Sequence, residues 1–415
     1  MPEIDQIIGE ICTASSLGES LRLFEIYSDS LHSYKFIFAA KHGTIPGFSI
    51  NRDFSDGSVV RSLFSSGSVL VLDRDTLKEM KKGRATYLLD YSISLDTQAL
   101  SYLAPYLAGN CSRLPKDFKE IFSFISREDV NVDPIPYILE NLRNISDLNK
   151  AERIFEKIKA YEVLRTIDAD ALKKHGSIKS KLCDAEIIKK SQEHVSRMYR
   201  DLSDQQVVDG VMFKFNFSYW NLLAMISIQL SNQKRSIEEK LIALIELSDS
   251  KLATLGFREI TVAKSYFERG QQLTFFGKVQ KGKKDLFDIV RGMAWDMWHI
   301  RQMEQNLTIR PAREARYFFP SFLTCDKRLV EIIDLYPLKA CAYNEADLMP
   351  IPFFDGDWLG SLSPSESFRE NVCSMYLSNQ ALSSRNIRRD QATRLINDSV
   401  DELERVVAEL SGVTP

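Results

Sequence analysis

The sequence is poor in the residues that most often hold zinc or cross-link a small secreted fold. It has five histidines and six cysteines in 415 residues. No two cysteines have the CxxC spacing of zinc sites and redox pairs, and the histidines form no HExxH or HxH cluster. These absences argue against a zinc site and against a disulfide framework. We therefore expect reduced cysteines and a cytoplasmic protein.

The sequence also has no apolar run long enough to cross a bilayer. Its most apolar stretch, FNFSYWNLLAMISIQL at 215–230, is short and is interrupted by Asn216, Asn221 and Gln229, which favours a buried helix. The opening residues, MPEIDQIIGEICTASS, do not have the pattern of a secretory signal. We expect no membrane partner.

Neither sign of charge dominates the chain. It carries 54 basic and 57 acidic residues, a net charge of −3, and 44% of its residues are hydrophobic. This composition is typical of globular proteins and excludes a largely disordered polycation. A nucleic-acid partner would have to bind a local basic patch.

The order of strand-like and helix-like stretches predicts the domain organisation. In residues 1–85, strand-like YKFIFAA and SVLVLD alternate with turn-like HGTIPGF and DFSDGS, which indicates an N-terminal α/β region. We predict a second domain at 86–345 that contains a helical insertion at 141–284, followed by a loop and a C-terminal helix at 346–415. The predicted fold class is α/β and helix-rich, with a small, mainly parallel sheet.

Two strand-like segments end in an aspartate. YFFPSFLTCDKRL at 317–329 leads to Asp326, and YSISLDTQALSYL at 91–103 leads to Asp96. Because parallel strands end on one side of a sheet, we expect both carboxylates at the same edge. Asp90 is the alternative to Asp96.

A third group of acids lies on the helix predicted at 285–305. Asp288 and Asp296 fall on one side of this helix, within roughly 80° of each other, and Arg291 is interpreted as pointing elsewhere. Asp296 lies mid-helix between two tryptophans, where an aspartate needs a partner such as a cation. Asp296 is the preferred candidate and Asp288 the alternative.

A helix glutamate is the fourth candidate acid. The stretch VDPIPYILENL at 132–142 begins with prolines that suit a first helical turn, and Glu140 lies off its apolar stripe. Glu162 in KAYEVLRTID is nearly as good a candidate. The sequence leaves both open.

This ordered series resembles the PIN-like nuclease superfamily. Asp96-Thr97 resembles the family's first motif, and Thr324, Asp326 and Lys327 resemble its Thr-x-Asp motif followed by a basic residue. The resemblance covers about residues 86–345. The long helical insertion departs from the compact family core.

The resemblance implies a hydrolase that cleaves phosphodiester bonds with Mg²⁺ or Mn²⁺. It implies catalytic and metal-binding roles for Asp96, Glu140, Asp296 and Asp326, with Asp288 as a further metal ligand. The implied partner is a nucleic acid, with RNA favoured. Clustered carboxylates suit this chemistry because Mg²⁺ prefers oxygen ligands. The competing hypothesis is a non-catalytic helical scaffold or regulatory module.

Basic residues flank the acidic helix on both sides. The stretches KVQKGKKD at 278–285 and RPAREAR at 310–316 would suit a polyanion held over a metal. The predicted substrate-binding residues are Lys278, Lys281, Lys283, Lys284, Thr324 and Lys327. The insertion, which we expect to supply no catalytic ligand, or the C-terminal helix at 387–411 could hold a partner protein or a second copy of the chain.

Replacing Lys278, Lys281, Lys283 and Lys284 together by glutamine is expected to weaken nucleic-acid binding and to flatten its salt dependence. Each lysine that contacts a phosphate releases counterions, so its removal lowers the slope of log K against log salt by about 0.7–0.9. The slope is measured by fluorescence anisotropy with a labelled single-stranded RNA. An unchanged slope would show that these lysines do not contact the substrate.

Overall fold

The computed structural model describes residues 3–45, 50–83, 85, 88–312 and 314–414. The predicted turn at 42–48 and the basic stretch at 310–316 lie partly outside these residues. The chain divides into two compact units. The first comprises Met1–Val208, Arg301–Val330 and Pro337–Asp355, and the second comprises Asp209–Ile300, Glu331–Tyr336 and Gly356–Pro415.

The described strands all belong to the first unit. They are β1 (Tyr34–Thr44), β2 (Arg52–Asp53), β3 (Val59–Arg61), β4 (Val69–Leu72), β5 (Leu88–Leu95), β6 (Val132–Asp133), β7 (Ala315–Thr324), β8 (Leu338–Asn344) and β9 (Pro350–Phe354).

Helices dominate the rest of the described chain. They are α1 (Ile4–Thr13), α2 (Leu17–Tyr27), α3 (Arg74–Lys81), α4 (Thr97–Leu107), α5 (Phe118–Ile125), α6 (Ile135–Glu140), α7 (Leu148–Arg165), α8 (Ala169–His175), α9 (Asp184–Ser203), α10 (Gln205–Ser231), α11 (Ile237–Leu252), α12 (Phe257–Arg269), α13 (Leu286–Asn306), α14 (Lys327–Ile333), α15 (Trp358–Leu362), α16 (Glu366–Val372), α17 (Asn379–Arg394) and α18 (Ile396–Ser411).

One sheet of the first unit is antiparallel throughout. Its strand order is β4-β1-β8-β9, and each neighbouring pair runs in opposite directions. Apolar residues of α1 and α2 share a buried cluster with β1, in which the Phe24 and Phe36 rings meet edge to face at 5.5 Å. This packing buries one face of the sheet.

The other sheet is mixed, with the order β2-β3-β7-β5-β6. Strand β5 runs parallel to β7, with Leu95 opposite Leu323, and parallel to β6. The β2–β3 and β3–β7 pairs are antiparallel. The carboxyl ends of β5, β6 and β7 therefore lie at one edge, which we call the carboxyl edge.

The predicted α/β, helix-rich class is confirmed, whereas a single mainly parallel sheet is not. There are two small sheets in the described part of the chain, and parallel pairing is confined to β5 and its two neighbours. The alternation of apolar residues that identified the strands depends on which face of the sheet each side chain points to. It carries no information on strand direction.

The mixed sheet packs against helices from both sides of the predicted insertion boundary. Ile93 and Leu95 of β5 share one buried cluster with Leu100 of α4 and with Ile154 and Ile158 of α7. Helix α7 lies inside the segment predicted as an insertion, yet it completes the core beneath the sheet.

The secondary-structure elements described in the second unit are all helices. Helix α10 is buried along most of its length, as predicted for the apolar stretch at 215–230, and Trp220 is fully buried. The Trp220 indole donates a hydrogen bond to Ser399 Oγ at 2.7 Å, and the Tyr219 hydroxyl donates to Glu404 at 2.6 Å. None of the helices in the described ranges has both the length and the apolarity to span a membrane.

Two predictions for the C-terminal region are wrong. The stretch DLMPIPFFDGDWLGSLSPS at 347–365, predicted as a loop, contains strand β9 and helix α15. The single helix predicted at 387–411 is two helices, α17 and α18, which meet at Leu395. The apolar seam of α18, including Val400 and Val407, is buried within the second unit.

Ile158→Ala is expected to lower the free energy of unfolding by about 2–5 kcal/mol, because it leaves a cavity in a core with little room to collapse. Ile158 is fully buried. Glu156→Ala, an exposed change on the same helix, is the control, with an expected effect within about 0.5 kcal/mol. Urea unfolding measures both. Equal effects would show that α7 is not part of this core.

Candidate functional site

Asp96 lies at the junction between β5 and α4. Its backbone N–H donates to the Leu323 carbonyl at 3.0 Å, which extends the pairing of β5 with β7 by one residue. Its carboxylate caps α4 by accepting from the Ala99 N–H and also bonds to the Thr324 side chain and the Cys325 backbone. The residue is only 7% exposed.

Asp326 lies two residues beyond the end of β7, at the same carboxyl edge. Its carboxylate accepts from Arg328 three times, from the backbone N–H at 2.9 Å, from Nε at 2.9 Å and from a terminal guanidinium nitrogen at 2.5 Å. A fork of this kind combines charge neutralisation with fixed geometry. Arg328 therefore clamps Asp326.

The two aspartates are electrostatically coupled. Burial raises the pKa of Asp96 from its ordinary value of 3.8 to about 6, and the nearby charge of Asp326 adds to the increase. Hydrogen bonds from Thr324, Ala99 and Cys325 oppose it. The parallel strands thus bring both carboxylates into one environment.

Thr324 lies between the two acids and has no contact with solvent. It is fully buried, its side chain bonds to Asp96, and its Oγ1 accepts from the Asp326 N–H at 3.0 Å. These contacts tie Thr324 to both acids, and its predicted binding of substrate stays a prediction. Its role is to position the two aspartates.

Glu140 ends helix α6 and reaches the residue that follows Asp96. Its carboxylate accepts a hydrogen bond from the Thr97 hydroxyl. Burial raises the pKa of Glu140, while the Thr97 hydrogen bond and the charge of Lys157 act against the increase. The structure thus places Glu140 beside the Asp96–Thr97 pair.

The two alternatives that the sequence left open lie elsewhere in the first unit. Asp90 is within β5, six residues before Asp96, and its Oδ2 accepts from the Ala312 N–H at 2.8 Å. Glu162 lies on α7, where its Oε1 is 2.9 Å from Nε2 of His194. Neither is bonded to the Asp96–Thr97 pair.

Lys327 begins helix α14 beside the turn between β2 and β3. Its side chain is 64% exposed and its Nζ is 3.8 Å from a carboxylate oxygen of Asp56. Gly57 has a φ of +88°, and a side chain there would collide with the lysine stem. The turn therefore sets the direction in which Lys327 extends.

The other predicted site residues belong to the second unit. Asp288 is exposed and its Oδ1 is 3.3 Å from Arg291, which also reaches Glu404 at 2.9 Å. The interpretation that Arg291 points away from the acids is therefore wrong, because one helical turn brings it back to Asp288. Asp296 is half-buried on α13.

The four lysines lie in the turn before α13. Lys278, Lys281 and Lys284 are exposed and Lys283 is half-buried. The Gly282 N–H donates to the Ser411 carbonyl at 2.9 Å, which ties this turn to the end of α18.

Two acids near the carboxyl edge were missed. Asp133 ends β6 and accepts hydrogen bonds from Ser92 and Ser94 of β5; burial raises its pKa, and these hydrogen bonds oppose the increase. Asp117 is buried and accepts from the backbone and hydroxyl of Ser58 at 3.1 and 3.0 Å. Strand β6 has only two residues, too few for alternation to reveal it, although VDP did mark a strand end before a helix.

Within the described residues, no group of three or more His, Cys, Asp or Glu side chains is arranged to hold a metal ion. Comparisons with protein-family models, with curated proteins and with solved structures found no match for this chain. The candidate site is defined by position at the carboxyl edge: Asp96, Asp326 and Glu140, with Thr324, Arg328 and Lys327 around them.

Asp96→Asn is expected to change the pH dependence of stability. The folded-state pKa of Asp96 is raised to about 6, so the folded state binds the proton more tightly, and this group lowers stability as pH rises from about 4 to 6. Asparagine cannot titrate. The stability of the variant relative to the wild type should rise by up to about 3 kcal/mol over that range.

Urea unfolding at pH 4, 5, 6 and 7 measures this difference. Asp170→Asn, an exposed change in α8, is the control and should leave the profile unchanged. A constant difference between Asp96→Asn and wild type across the range would contradict the raised pKa.

Proposed function

We propose that the first unit is a PIN-like, metal-dependent nuclease that hydrolyses phosphodiester bonds, with RNA as the favoured substrate. The observation that carries this proposal is the pair Asp96 and Asp326 at the carboxyl edge, where burial, with a smaller contribution from the Asp326 charge, raises the pKa of Asp96. Acids with strongly shifted pKa values at the carboxyl ends of parallel strands are typical of ligand and catalytic sites.

The donor set suits Mg²⁺ or Mn²⁺ in its chemistry. Asp96, Asp326 and Glu140 offer only oxygen ligands, which these ions prefer. Two neighbouring carboxylates repel each other, and a cation relieves that repulsion. When bound, such an ion would stabilise charge on the phosphate and acidify a water molecule.

In this proposal the surrounding residues position the carboxylates and bind the phosphate of the substrate. Thr324 holds Asp96 and Asp326 in register, and Lys327 offers an exposed ammonium to a phosphate. Asp326 has to exchange at least one bond from Arg328 for the ion. Asp296, Asp288 and the four lysines belong to the second unit, and the roles assigned to them stay predictions from the sequence.

A non-catalytic scaffold is the second candidate function. The observation that favours it is that each acid already serves the fold. Asp96 caps α4, Asp326 is clamped by Arg328 and Glu140 accepts from Thr97. Under this alternative, the three carboxylates hold the strand–helix junctions together and bind no metal.

The two candidates differ in a cleavage assay. The nuclease proposal predicts Mg²⁺- or Mn²⁺-dependent cleavage across single-stranded RNA, structured RNA and duplex DNA, with RNA preferred. Asp96→Asn, Asp326→Asn and Glu140→Gln should each lower the rate at least about 100-fold, the scale of removing one group that stabilises developing charge. Asp170→Asn should cleave like the wild type.

Chelation by EDTA should abolish cleavage, and added Mn²⁺ should restore it. Circular dichroism checks that each variant is folded. No cleavage of any substrate by folded wild-type protein supports the scaffold, and full activity of Asp326→Asn would remove that residue from the site.

A further inference from the structure

A cavity of about 320 Å³ opens in the first unit beside the short strand β6. Its floor includes Ser92 of β5 and Asp133 of β6, and its walls come from the last turns of α7 and the middle of α9. The volume is at the lower end of the range for small-molecule sites. No residue of the nuclease proposal lines it.

Glu162 is the acid in this cavity that has room for a ligand. It is 6% exposed, and within the described chain the only hydrogen bond of its carboxylate joins Oε1 to His194. A carboxylate has about four lone-pair directions, so Oε2 can accept from a ligand. Asp133, by contrast, already accepts from Ser92, Ser94 and the Ile135 N–H.

The rim of the cavity is basic. Lys190 and Arg197 lie on α9 at four residues before and three after His194, which places all three on one helix face. Both bases are exposed, and neither has a hydrogen bond or ion pair within the described part of the chain. Arg165 of α7 adds a third base. The exposed Glu193 is the one acid at this rim among the described residues.

Aromatic surface completes the cavity. Tyr161 and His194 both line it, with their rings edge to face at 6.0 Å. The Tyr161 hydroxyl donates to the Val132 carbonyl at 3.0 Å, and the His194 ring is tied to Glu162, so both rings are held in place. Rings fixed in this way can stack on a planar ligand.

We propose that this cavity binds a nucleotide whose base carries an amino group. The base amino group would donate to Glu162 and its ring would lie against Tyr161 or His194. The phosphate would face the rim between Lys190 and Arg197, which lie one helical turn on either side of His194 and about 10 Å apart along α9. The nucleotide comes either free or as one unit of a nucleic acid, and the proposal does not depend on nuclease activity.

Isothermal titration without metal tests the proposal, using GMP, AMP, CMP, UMP and the four matching nucleosides. The amino-bearing nucleotides should bind more tightly than UMP, and each should bind more tightly than its nucleoside. Glu162→Gln should weaken GMP binding at least about tenfold, because one carboxylate acceptor is lost.

Lys190→Gln with Arg197→Gln should also weaken GMP binding at least about tenfold while leaving guanosine binding unchanged, because only the phosphate contacts are lost. Lys189→Gln with Arg200→Gln makes the same charge change on exposed positions of α9 that do not line the cavity, and should bind GMP like the wild type. These exposed changes keep the test valid if Glu162→Gln does not fold.

Competition of GMP by a short guanine-containing RNA identifies a nucleic-acid source, and its absence identifies a free nucleotide; both agree with the proposal. The Asp96→Asn, Asp326→Asn protein should bind GMP normally, which separates this site from the proposed nuclease. Absence of binding of all four nucleotides at millimolar concentration overturns the proposal. Equal loss in the rim pair and the control pair overturns it as well.

Discussion

The parallel pairing of β5 with β7 is the constraint on which the candidate site depends. Leu95 lies opposite Leu323, and the Asp96 N–H continues the ladder to the Leu323 carbonyl at 3.0 Å. Because the side-chain period of a strand is two, a slip of one residue would turn Ser92, Ser94 and Asp96 to the other face. The register therefore decides whether Asp96 and Asp326 meet.

The same junction carries two opposing demands. A buried aspartate beside another aspartate is unfavourable, and the raised pKa of Asp96 measures that cost. Thr324, Ala99 and Cys325 offset it by hydrogen bonding to the carboxylate, and Arg328 neutralises Asp326. A scaffold needs only these protein donors, whereas a metal site needs Asp326 to release part of its bond to Arg328.

The sequence predicted the parts of the site that depend on short-range pattern. Apolar runs ending at Asp96 and Asp326 identified both strand ends, because a buried strand has to become polar where it leaves the core. Asp96 was preferred to Asp90 because Thr97 and the Leu100-Ser101-Leu103 pattern after it suit the start of a helix. Glu140 and Glu162 could not be separated, because each is a glutamate on a predicted helix and only the tertiary contact with Thr97 distinguishes Glu140.

What the sequence could not supply were features set by long-range packing. Strand direction in the antiparallel sheet leaves no trace in the alternation of β1 and β8. The clamp of Arg328 on Asp326 depends on how the chain turns into α14. The cavity beside β6 arises where α7 packs near α9, and His194 pairs with Glu162 across 32 residues of sequence.

We propose that Asp96 and Asp326 together hold a divalent cation. Mn²⁺ strongly shortens the relaxation times of nuclei close to it. Substoichiometric Mn²⁺ added to isotopically labelled protein therefore broadens the NMR signals of residues near its binding site. The account predicts selective broadening of the backbone amides of residues 96–99 and 324–328, relieved by excess Mg²⁺. Broadening centred on other parts of the chain would contradict this proposal. Broadening no stronger than that caused by unbound Mn²⁺ in solution would contradict it as well.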